Sequence, residues 1–555
     1  MTPKNLSQQF VSATFWNTLL FPARLLMGLV ASVIYYQRLS LDQVGVLFLL
    51  QSLATTLGLY ADLGIERTLP RFLPEVEREA GRAGVQRFMI LVIRLKLMIL
   101  LVLVGALAAA SGPITRLLAD YQRKEVAKLE ASQSGAPAGL GEARGREEQI
   151  AAKRSVAEEL ESRGGLLLGA VGLLLLFGAL FDVYMQFLTA YLKQRSWNLI
   201  TLTSTLLQPI LVTAFILAGW GIEGVLLGLV LTPFVSVLLA AWQVARATRE
   251  LAPIEAPGVL GQPLGRRFAK FAGVNYLMQV TTWIYDLQFV VFLSAATLSL
   301  ADVALLGFAY KFAKDFLAYV WTPLTGVMTP VLARVHVRGE PKALQEAHAS
   351  LTRIIWLVLL PAAVGLTVLT PGILAALYPK YSQTTTLITL FIAFTFGESL
   401  LSVPQNVLMV VELYRPVVLA RLVAFLTLPL TWILLPRYGV LGVALAAGSA
   451  RLFSRALTLA VGLTRLRLSF PLGFAARVSL ASGVMAAALL LALATAGPHI
   501  GGSKAYAVLD LALWSAAGAA VFAVALKALG GLDAEDRRRL GALPGPWSRV
   551  LARVL

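Results

Sequence analysis

Basic side chains occur inside long apolar segments of this sequence, where water cannot solvate them. Arg24, Lys311 and Lys314 each lie within such a segment. If the segment is a membrane helix, a charge near its centre costs ~2.5–3.5 kcal/mol on insertion scales, so each charge needs a reason. Guanidinium and ammonium groups donate charge-assisted hydrogen bonds to anionic oxygens. The three side chains therefore predict a binding site for an anionic ligand.

Amide side chains occupy three of the same apolar segments, namely Asn17, Gln51 and Gln279. Asn17 precedes Arg24 by seven residues and so falls on the same face of its helix. Amides can exchange hydrogen bonds with the hydroxyl groups of a ligand. We therefore assign these three residues to the same predicted binding site.

Carboxyl groups in the apolar segments are candidates for coupling to a proton or cation gradient. They are Asp62, Asp286, Glu398 and Asp315. A carboxyl group in a low-dielectric environment can take up and release a proton. Each of them could instead be the counter-ion of a basic side chain, and Lys311 with Asp315 has the i, i+4 spacing of a helical ion pair.

The composition excludes several classes of protein. Of 555 residues, 58% are hydrophobic and 14% are charged, with a mean hydropathy of +0.75. A soluble domain is nearer half apolar and a quarter charged. The absence of cysteine and the presence of only three histidines exclude thiolate chemistry and predict no metal site. No phosphate-binding loop of the ATPase type is present, and no cofactor is predicted.

The apolar residues predict an all-α polytopic membrane protein. Fourteen segments are long enough to cross a bilayer, which takes ~20 residues each. They are residues 10–36, 43–63, 87–112, 165–190, 198–219, 222–245, 268–295, 303–332, 351–370, 384–411, 415–435, 438–463, 474–496 and 505–529.

The basic residues predict the orientation of these spans. Loops on one side and the tail carry 28 Lys and Arg, against 4 in the short loops of the other side. Because cytosolic loops are enriched in Lys and Arg, we expect both termini in the cytosol and the chain in the inner membrane. The net charge of +18 thus reflects topology, and we expect no nucleic acid partner.

Two further groups of basic residues are expected at the inner membrane surface. Arg451 and Arg455 lie toward the cytosolic half of their span, and we expect them to extend toward lipid headgroups or to line the entrance of a cavity. The basic tail, residues 531–555, is expected to lie on the inner leaflet.

One loop outside the membrane is unusually long. Residues 113–163 contain nine basic and nine acidic residues, and two charged helix-like stretches flank a segment rich in Gly and Pro. This pattern predicts a solvated helical hairpin on the outer face. It could be a mobile spacer or a docking element for a partner.

Two short motifs recur and indicate a duplicated architecture. Leu39–Leu41 resembles Leu298–Leu300 at an offset of 259 residues, and Gly221–Val225 resembles Gly439–Val443 at an offset of 218. The long loop is 38 residues longer than its counterpart at 371–383, which accounts for most of the difference of 41. Parallel repeats of this kind are typical of transporters with a central binding site.

The repeat predicts the division of the chain into parts. Residues 1–250 form an N-lobe of six spans and residues 251–470 a second lobe of six spans. Residues 471–530 add two peripheral spans, and residues 531–555 form the tail. The predicted anion site lies between the two lobes.

The second span carries the residues of a family resemblance. The segment 41–48 places a Gly near the start of the span, and Ala61–Arg71 contains Asp-Leu-Gly followed by Arg. With the fourteen spans and the Gly-x-x-Gly-Val motif at 439–443, this resembles the flippases of polysaccharide export. The resemblance implies the multidrug/oligosaccharidyl-lipid/polysaccharide exporter superfamily and, within it, Wzx-like flippases. The long outer loop departs from that pattern.

The resemblance implies that the chain is not an enzyme. A Wzx-like flippase moves a polyprenyl-(pyro)phosphate-linked oligosaccharide across the inner membrane by alternating access. Arg24, Lys311 and Lys314 would then hold the phosphates, and the amides would bind the sugars. The bilayer, the lipid-linked substrate and polysaccharide-assembly proteins would be its partners, and an ion gradient would drive it.

Three alternatives remain open. A lipid II flippase of the MurJ type shares both the fourteen spans and a cationic cavity. A drug/cation antiporter of the same superfamily would have a cavity dominated by carboxylates, which the Arg and Lys residues argue against. A membrane glycan polymerase or ligase would present catalytic residues on a large outer loop.

Overall fold

The computed structural model describes residues 27–133, 140–191, 193–251, 262–284, 287–294, 297–337, 341–496 and 504–530. Within these ranges the chain consists of α-helices and short 3₁₀ turns, and no residue of them is in a strand. The predicted all-α fold class is therefore confirmed.

The helices follow one another with short connections. They are α1 (27–38), α2 (Leu41–Asp62), α3 (Leu69–Gln133), α4 (Leu140–Ala190), α5 (Gln194–Leu217), α6 (Gly221–Arg249), α7 (Gln262–Ile284), α8 (Leu287–Ser294), α9 (Leu300–Val337), α10 (Pro341–Leu377), α11 (Thr385–Leu400), α12 (Ser402–Val410), α13 (Tyr414–Leu422), α14 (Thr427–Arg465), α15 (Leu472–Ala496) and α16 (Lys504–Ala528).

Most of the predicted spans coincide with apolar helices. In the described ranges, ten helical stretches are long and apolar enough to cross a membrane, and one of them, Tyr414–Arg465, covers two predicted spans. The first and seventh predicted spans correspond to α1 and to α7 with α8, and parts of these two spans lie outside what the structure describes. The eighth predicted span corresponds to α9.

The chain forms two compact units. The first comprises Met1–Trp283 with Val291–Ala304, and the second comprises Ile284–Val290 with Leu305–Leu555. Helix α7 thus packs with the first unit although it begins the second sequence repeat. The lobe boundary placed at residue 250 follows the repeat and remains a prediction.

The two recurring motifs form the same local structures at both of their positions. Ser40 and Ser299 precede α2 and α9, and each side-chain oxygen accepts a hydrogen bond from the backbone N–H three residues later, at 3.2 and 3.1 Å. These are N-caps, which satisfy otherwise unpaired N–H groups at the start of a helix. The repeat is therefore structural as well as a likeness of sequence.

The glycine motif shows the same agreement. Gly221 and Gly439 have φ values of 55° and 54°, in the left-handed region that favours glycine. Three residues later, Gly224 and Gly442 each pack against the preceding helical segment, where an added Cβ would lie 2.8 Å from Phe215 Cβ or 2.3 Å from the Leu434 carbonyl oxygen. Each motif makes a sharp turn followed by close helix packing.

The Asp-Leu-Gly turn at the end of α2 brings that helix against α7. Gly64 has a φ of 73°, and a Cβ on it would lie 2.1 Å from the carbonyl oxygen of Ala272. Nearby, the Asn275 amide donates to the Thr68 hydroxyl at 3.1 Å, and Arg267 forms an ion pair with Glu75 at 2.7 Å. The glycine of this motif is thus required by both backbone conformation and space.

Replacing Gly64 with Ala is expected to lower the free energy of unfolding by about 2–4 kcal/mol, because left-handed strain and overpacking each cost ~1–3 kcal/mol. Thermal unfolding of the purified protein in detergent measures this. Gly105→Ala is the matched control, since Gly105 lies within α3 and has open space around it. Equal unfolding temperatures for the two variants would contradict the proposed packing.

The last two helices belong to the second unit and pack on α10. Leu357 of α10, Phe474, Val478 and Met485 of α15 and Phe522 of α16 share one buried apolar cluster. The imidazole of His348, also on α10, makes a hydrogen bond at 3.2 Å to the carbonyl oxygen of Ser469 in the link before α15. Helices α15 and α16 are therefore fixed to α10 by both apolar and polar contacts.

Candidate functional site

A cluster of charged side chains surrounds Tyr310 in the second unit. Helix α9 supplies Tyr310, Lys311, Lys314 and Asp315 within about one and a half turns, α11 supplies Glu398 and α14 supplies Arg451. We call these six residues the Tyr310 cluster. Four of them, Lys311, Lys314, Asp315 and Glu398, were predicted as site residues.

Two cations lie over the ring of Tyr310. The Lys314 Nζ is 5.1 Å from the ring centroid and the Arg451 Cζ is 5.5 Å from it. An aromatic face attracts cations at such distances through its quadrupole. Tyr310 is itself buried, with 9% of its surface exposed, so its ring is held in place and positions both cations.

The Arg451 side chain forms an ion pair inside the unit. Its Nε is 2.9 Å from Glu398 Oε1, with exposures of 10% and 23% for the two side chains, and it also donates to the Ala447 carbonyl oxygen at 3.3 Å. The expectation that Arg451 extends toward lipid headgroups is therefore wrong. A neighbouring carboxylate and an aromatic ring hold it inside the unit instead.

Small residues allow α11 and α14 to approach closely enough for this pair. A Cβ on Gly448 would lie 2.1 Å from the Phe394 ring, and a Cβ on Gly397 would lie 2.7 Å from Leu452. Both glycines are within three residues of a member of the Glu398–Arg451 pair. A larger side chain at either position would push the two helices, and hence the pair, apart.

Lys311 and Asp315 form the i, i+4 ion pair that the sequence left open. The Nζ–Oδ2 distance is 2.7 Å, and the side chains are 54% and 45% exposed within the unit. Lys314, one turn from Lys311, is also exposed. The exposed side of the cluster thus presents two ammonium groups and one carboxylate, while the Glu398–Arg451 pair lies behind it.

A second charged cluster lies in the first unit around a fully buried lysine. Lys96 of α3 has no exposed side-chain surface. Its Nζ forms an ion pair with Glu66 and lies 3.5 Å from Asp62 Oδ1. Asp182 of α4 interacts electrostatically with both Lys96 and Asp62. We call these four residues the Lys96 cluster.

The Lys96 cluster contains three carboxyl groups and one ammonium group. Asp62 Oδ1 also accepts a hydrogen bond from the Glu66 backbone N–H at 3.1 Å. The other oxygen, Oδ2, is buried and has no hydrogen-bond partner among the described residues. Asp62 and Glu66 are largely buried beside Lys96, whereas Asp182 is exposed. If Asp62, Glu66 and Lys96 were all ionised, the buried part of the cluster would carry one uncompensated negative charge.

Sequence analysis identified Asp62 but missed Lys96, Glu66 and Asp182. Lys96 and Asp182 lie inside predicted spans three and four, so their charges in apolar segments were the available signal. For Arg451 the sequence leaves two positions open, at lipid headgroups or at the entrance of a cavity, and does not indicate Glu398 as its partner. Tyr310 carries no charge, and nothing in the sequence distinguishes it from other aromatic residues.

The other predicted site residues are dispersed. Gln51 lies half-buried on α2 in the first unit. Gln279, on α7, is half-buried, and its Oε1 has no hydrogen-bond partner in the part of the chain that is described. Arg24, Asn17 and Asp286 lie outside the described residues. The predicted meeting of Arg24 with Lys311 therefore stays a prediction.

Comparison with known proteins agrees with this architecture. Residues 154–384 match a family described as polysaccharide biosynthesis protein. No curated protein matches the sequence.

Two solved structures resemble the whole fold. A lipid II flippase MurJ in the inward closed conformation shares 15% identity with a TM-score of 0.63, covering 92% of this chain and 100% of its own. An inward-facing multidrug resistance MATE family transporter of the MOP superfamily shares 13% identity with a TM-score of 0.56, covering 80% of this chain and 94% of its own. At these identities the likeness concerns the fold.

Proposed function

We propose that this chain is a multi-pass membrane protein of the multidrug/oligosaccharidyl-lipid/polysaccharide exporter superfamily and acts as a flippase-type transporter of a lipid-linked substrate. The family match over residues 154–384, the apolar helices and the likeness of the fold to a MurJ flippase and a MATE transporter support this proposal. We propose that the substrate is a polyprenyl-(pyro)phosphate-linked oligosaccharide. The direction proposed is from the cytosolic to the outer leaflet of the inner membrane, with both termini in the cytosol.

The observation that carries the proposal is the exposed pair of ammonium groups in the Tyr310 cluster. In this proposal the exposed side of the cluster faces a water-filled cavity, where the half-exposed Lys311–Asp315 pair contributes at most ~1 kcal/mol because water screens it. Lys311 can therefore leave Asp315 for a ligand at little cost. Phosphate oxygens can accept charge-assisted hydrogen bonds from Lys311 and Lys314, and such bonds are stronger than those between neutral groups.

The buried part of the cluster has a positioning role in this proposal. Arg451 is compensated by Glu398, so it is available to Tyr310 without requiring a ligand. Its contact with the ring supports the position of the tyrosine that Lys314 also contacts. Lys311 and Lys314 would therefore touch the phosphates, and Arg451, Glu398 and Tyr310 would hold them in position.

The Lys96 cluster supports coupling to an ion gradient. Buried charges are stable only when they are paired, and the one ammonium group of Lys96 cannot compensate the two largely buried carboxylates of Asp62 and Glu66. The remaining negative charge has to be offset by protons or by a bound monovalent cation. We propose that Asp62, with its unpartnered Oδ2, exchanges that proton or cation during transport. Glu398 and Asp315 each pair one to one with a basic residue, which gives no comparable support for coupling. The predicted role of Asp286, which lies outside the described residues, stays a prediction.

The proposal is tested by loss of the gene and by reconstitution. Viable cells that lack a surface glycan and accumulate its lipid-linked precursor are the expected phenotype. Cell lysis would instead identify lipid II as the substrate.

In vitro, the purified protein in liposomes should move a fluorescent polyprenyl-pyrophosphate oligosaccharide between leaflets. Protein-free liposomes are the control. Chain extension or transfer of the glycan would identify a polymerase or ligase, and efflux of organic cations without lipid movement would identify a drug antiporter. Either result would refute the proposed substrate class.

A further inference from the structure

The long charged loop forms a helical hairpin that belongs structurally to the first unit. Its arms are residues 113–133 of α3 and 140–163 of α4, which continue the helices beyond their apolar segments. From the break at Gly81, α3 runs 52 residues to its end, or ~78 Å at 1.5 Å per residue, against a hydrocarbon core of ~30 Å. The hairpin therefore extends well outside the membrane.

The two arms pack against each other through apolar side chains. The buried apolar residues are Ala119 and Val126 on the first arm and Ile150, Val156, Ala157 and Leu160 on the second. Exposed ion pairs Arg123–Glu161 and Arg154–Glu130 link the same arms. Two helices that share buried apolar contacts form a rigid element. This argues against the interpretation of residues 113–163 as a mobile spacer.

The second arm is also attached to the start of α2. The Lys153 Nζ lies 3.3 Å from Asp42 Oδ1, and only about a tenth of either side chain is exposed. Two turns further along, the Gln43 amide donates to Glu159 at 3.4 Å. A buried ion pair is screened much less than a surface pair, so Lys153–Asp42 is the strongest polar link in this attachment.

The start of α2 is in turn in direct contact with the start of α9. Gly45 faces the backbone of Leu300, and a Cβ added there would lie 2.0 Å from the Leu300 carbonyl oxygen. Only glycine permits this approach. The chain leaves the first unit at Ala304, one helical turn after the contact. The α2–α9 contact therefore lies at the point where α9 passes from one unit to the other.

From these contacts we propose that Lys153 is a positioning residue for transport: through Asp42 it holds the start of α2 against the start of α9. The inference rests on the proposed function in one respect, namely that transport requires α9 to move relative to the first unit. The hairpin then sets how readily the α2–α9 contact opens. In this proposal the hairpin acts on α2 of its own chain and does not need to bind a separate protein.

Distances between spin labels at Leu41 and Ala301 test this directly. Both positions are half-buried, and the native chain has no cysteine, so two introduced cysteines can be labelled selectively. In Lys153→Met we expect a second, longer distance, with the ratio of populations changed about fivefold or more, the lower end of usual coupling energies. Lys124→Met, at an exposed site on the hairpin, is the matched control and should leave the distribution unchanged.

A charge-swapped protein, Asp42→Lys with Lys153→Asp, is the control for misfolding of the single variant. Restoration of the original distribution supports the proposal, because a merely structural defect would not be repaired by reversing two charges. An unchanged distribution in Lys153→Met, or a shifted one in the swapped protein, would overturn it. These distances are measured without substrate, so they stand or fall separately from the identity of the transported lipid.

Discussion

Transport by the double variant Lys311→Gln, Lys314→Gln is expected to fall about 100-fold or more, with little loss of stability. A hydrogen bond to a charged group contributes ~1.5–3 kcal/mol, and each 1.4 kcal/mol is a factor of ten in affinity. Each single variant should therefore lose about 10- to 100-fold. Leaflet exchange of the labelled lipid in liposomes gives the rate, and titration with the same lipid gives the affinity.

The unfolding measurement separates this loss from a folding defect. Because the Lys311–Asp315 pair is about half exposed, its removal should change the free energy of unfolding by less than about 1 kcal/mol. Lys342→Gln is the matched control, since Lys342 is exposed on α10 and lies outside the cluster. Normal transport by the double variant would remove both lysines from the substrate site.

Asp315→Asn distinguishes a binding role of Lys311 from simple neutralisation. If Lys311 binds phosphate, removal of its competing counter-ion should tighten binding of the lipid-linked substrate. If the two residues only neutralise each other, affinity should stay the same. Weaker binding in Asp315→Asn would contradict both interpretations and point to a direct role for the carboxylate.

The sequence predicted the fold well because membrane helices obey simple rules. Long apolar runs and the glycine turn at Gly64 each act locally, and each is found where the pattern indicated. The N-cap at Ser40 is equally local, but the structure adds it to the motif. The repeat could be recognised in the sequence because its motifs also act on local structure. Similar short motifs with glycine at the same positions impose similar backbone geometry, as the φ values of Gly221 and Gly439 illustrate.

The site was predicted less completely because pairing between helices is not local. Helical spacing predicts Lys311 with Asp315, which are four residues apart, but not Arg451 with Glu398, which are 53 apart in the sequence. That pair depends on the close approach of α11 and α14 at Gly397 and Gly448. A glycine in a membrane helix can serve several structural purposes. The sequence does not indicate which other helix packs against it.

The same limit applies to the Lys96 cluster, which yields the second large effect. Replacing Lys96 with Met is expected to lower the free energy of unfolding by about 3–5 kcal/mol. Removal of one partner from a buried ion pair leaves an uncompensated charge, and this usually costs several kcal/mol. Thermal unfolding in detergent measures the change, and Lys124→Met, which alters an exposed lysine, is the control.

Neutralising the carboxyl groups should reverse that loss. In the triple variant Lys96→Met, Glu66→Gln, Asp62→Asn, two of the three carboxylates and the ammonium group are replaced by uncharged side chains of similar size. The amide oxygen introduced at position 62 would still accept the hydrogen bond from the backbone N–H of residue 66, so the end of α2 keeps its geometry. We expect most of the stability to return, and a stability as low as that of Lys96→Met would argue against a charge imbalance.

Transport by Asp62→Asn then tests the coupling role itself. This substitution keeps the backbone hydrogen bond and removes one exchangeable charge, so folding should be nearly normal while an imposed proton or sodium gradient no longer accelerates leaflet exchange. Asp120→Asn, on the exposed hairpin, should respond to the gradient as the unmodified protein does. Full gradient dependence in Asp62→Asn would leave the Lys96 cluster with a structural role, because its uncompensated negative charge would then be offset by groups that do not exchange during transport.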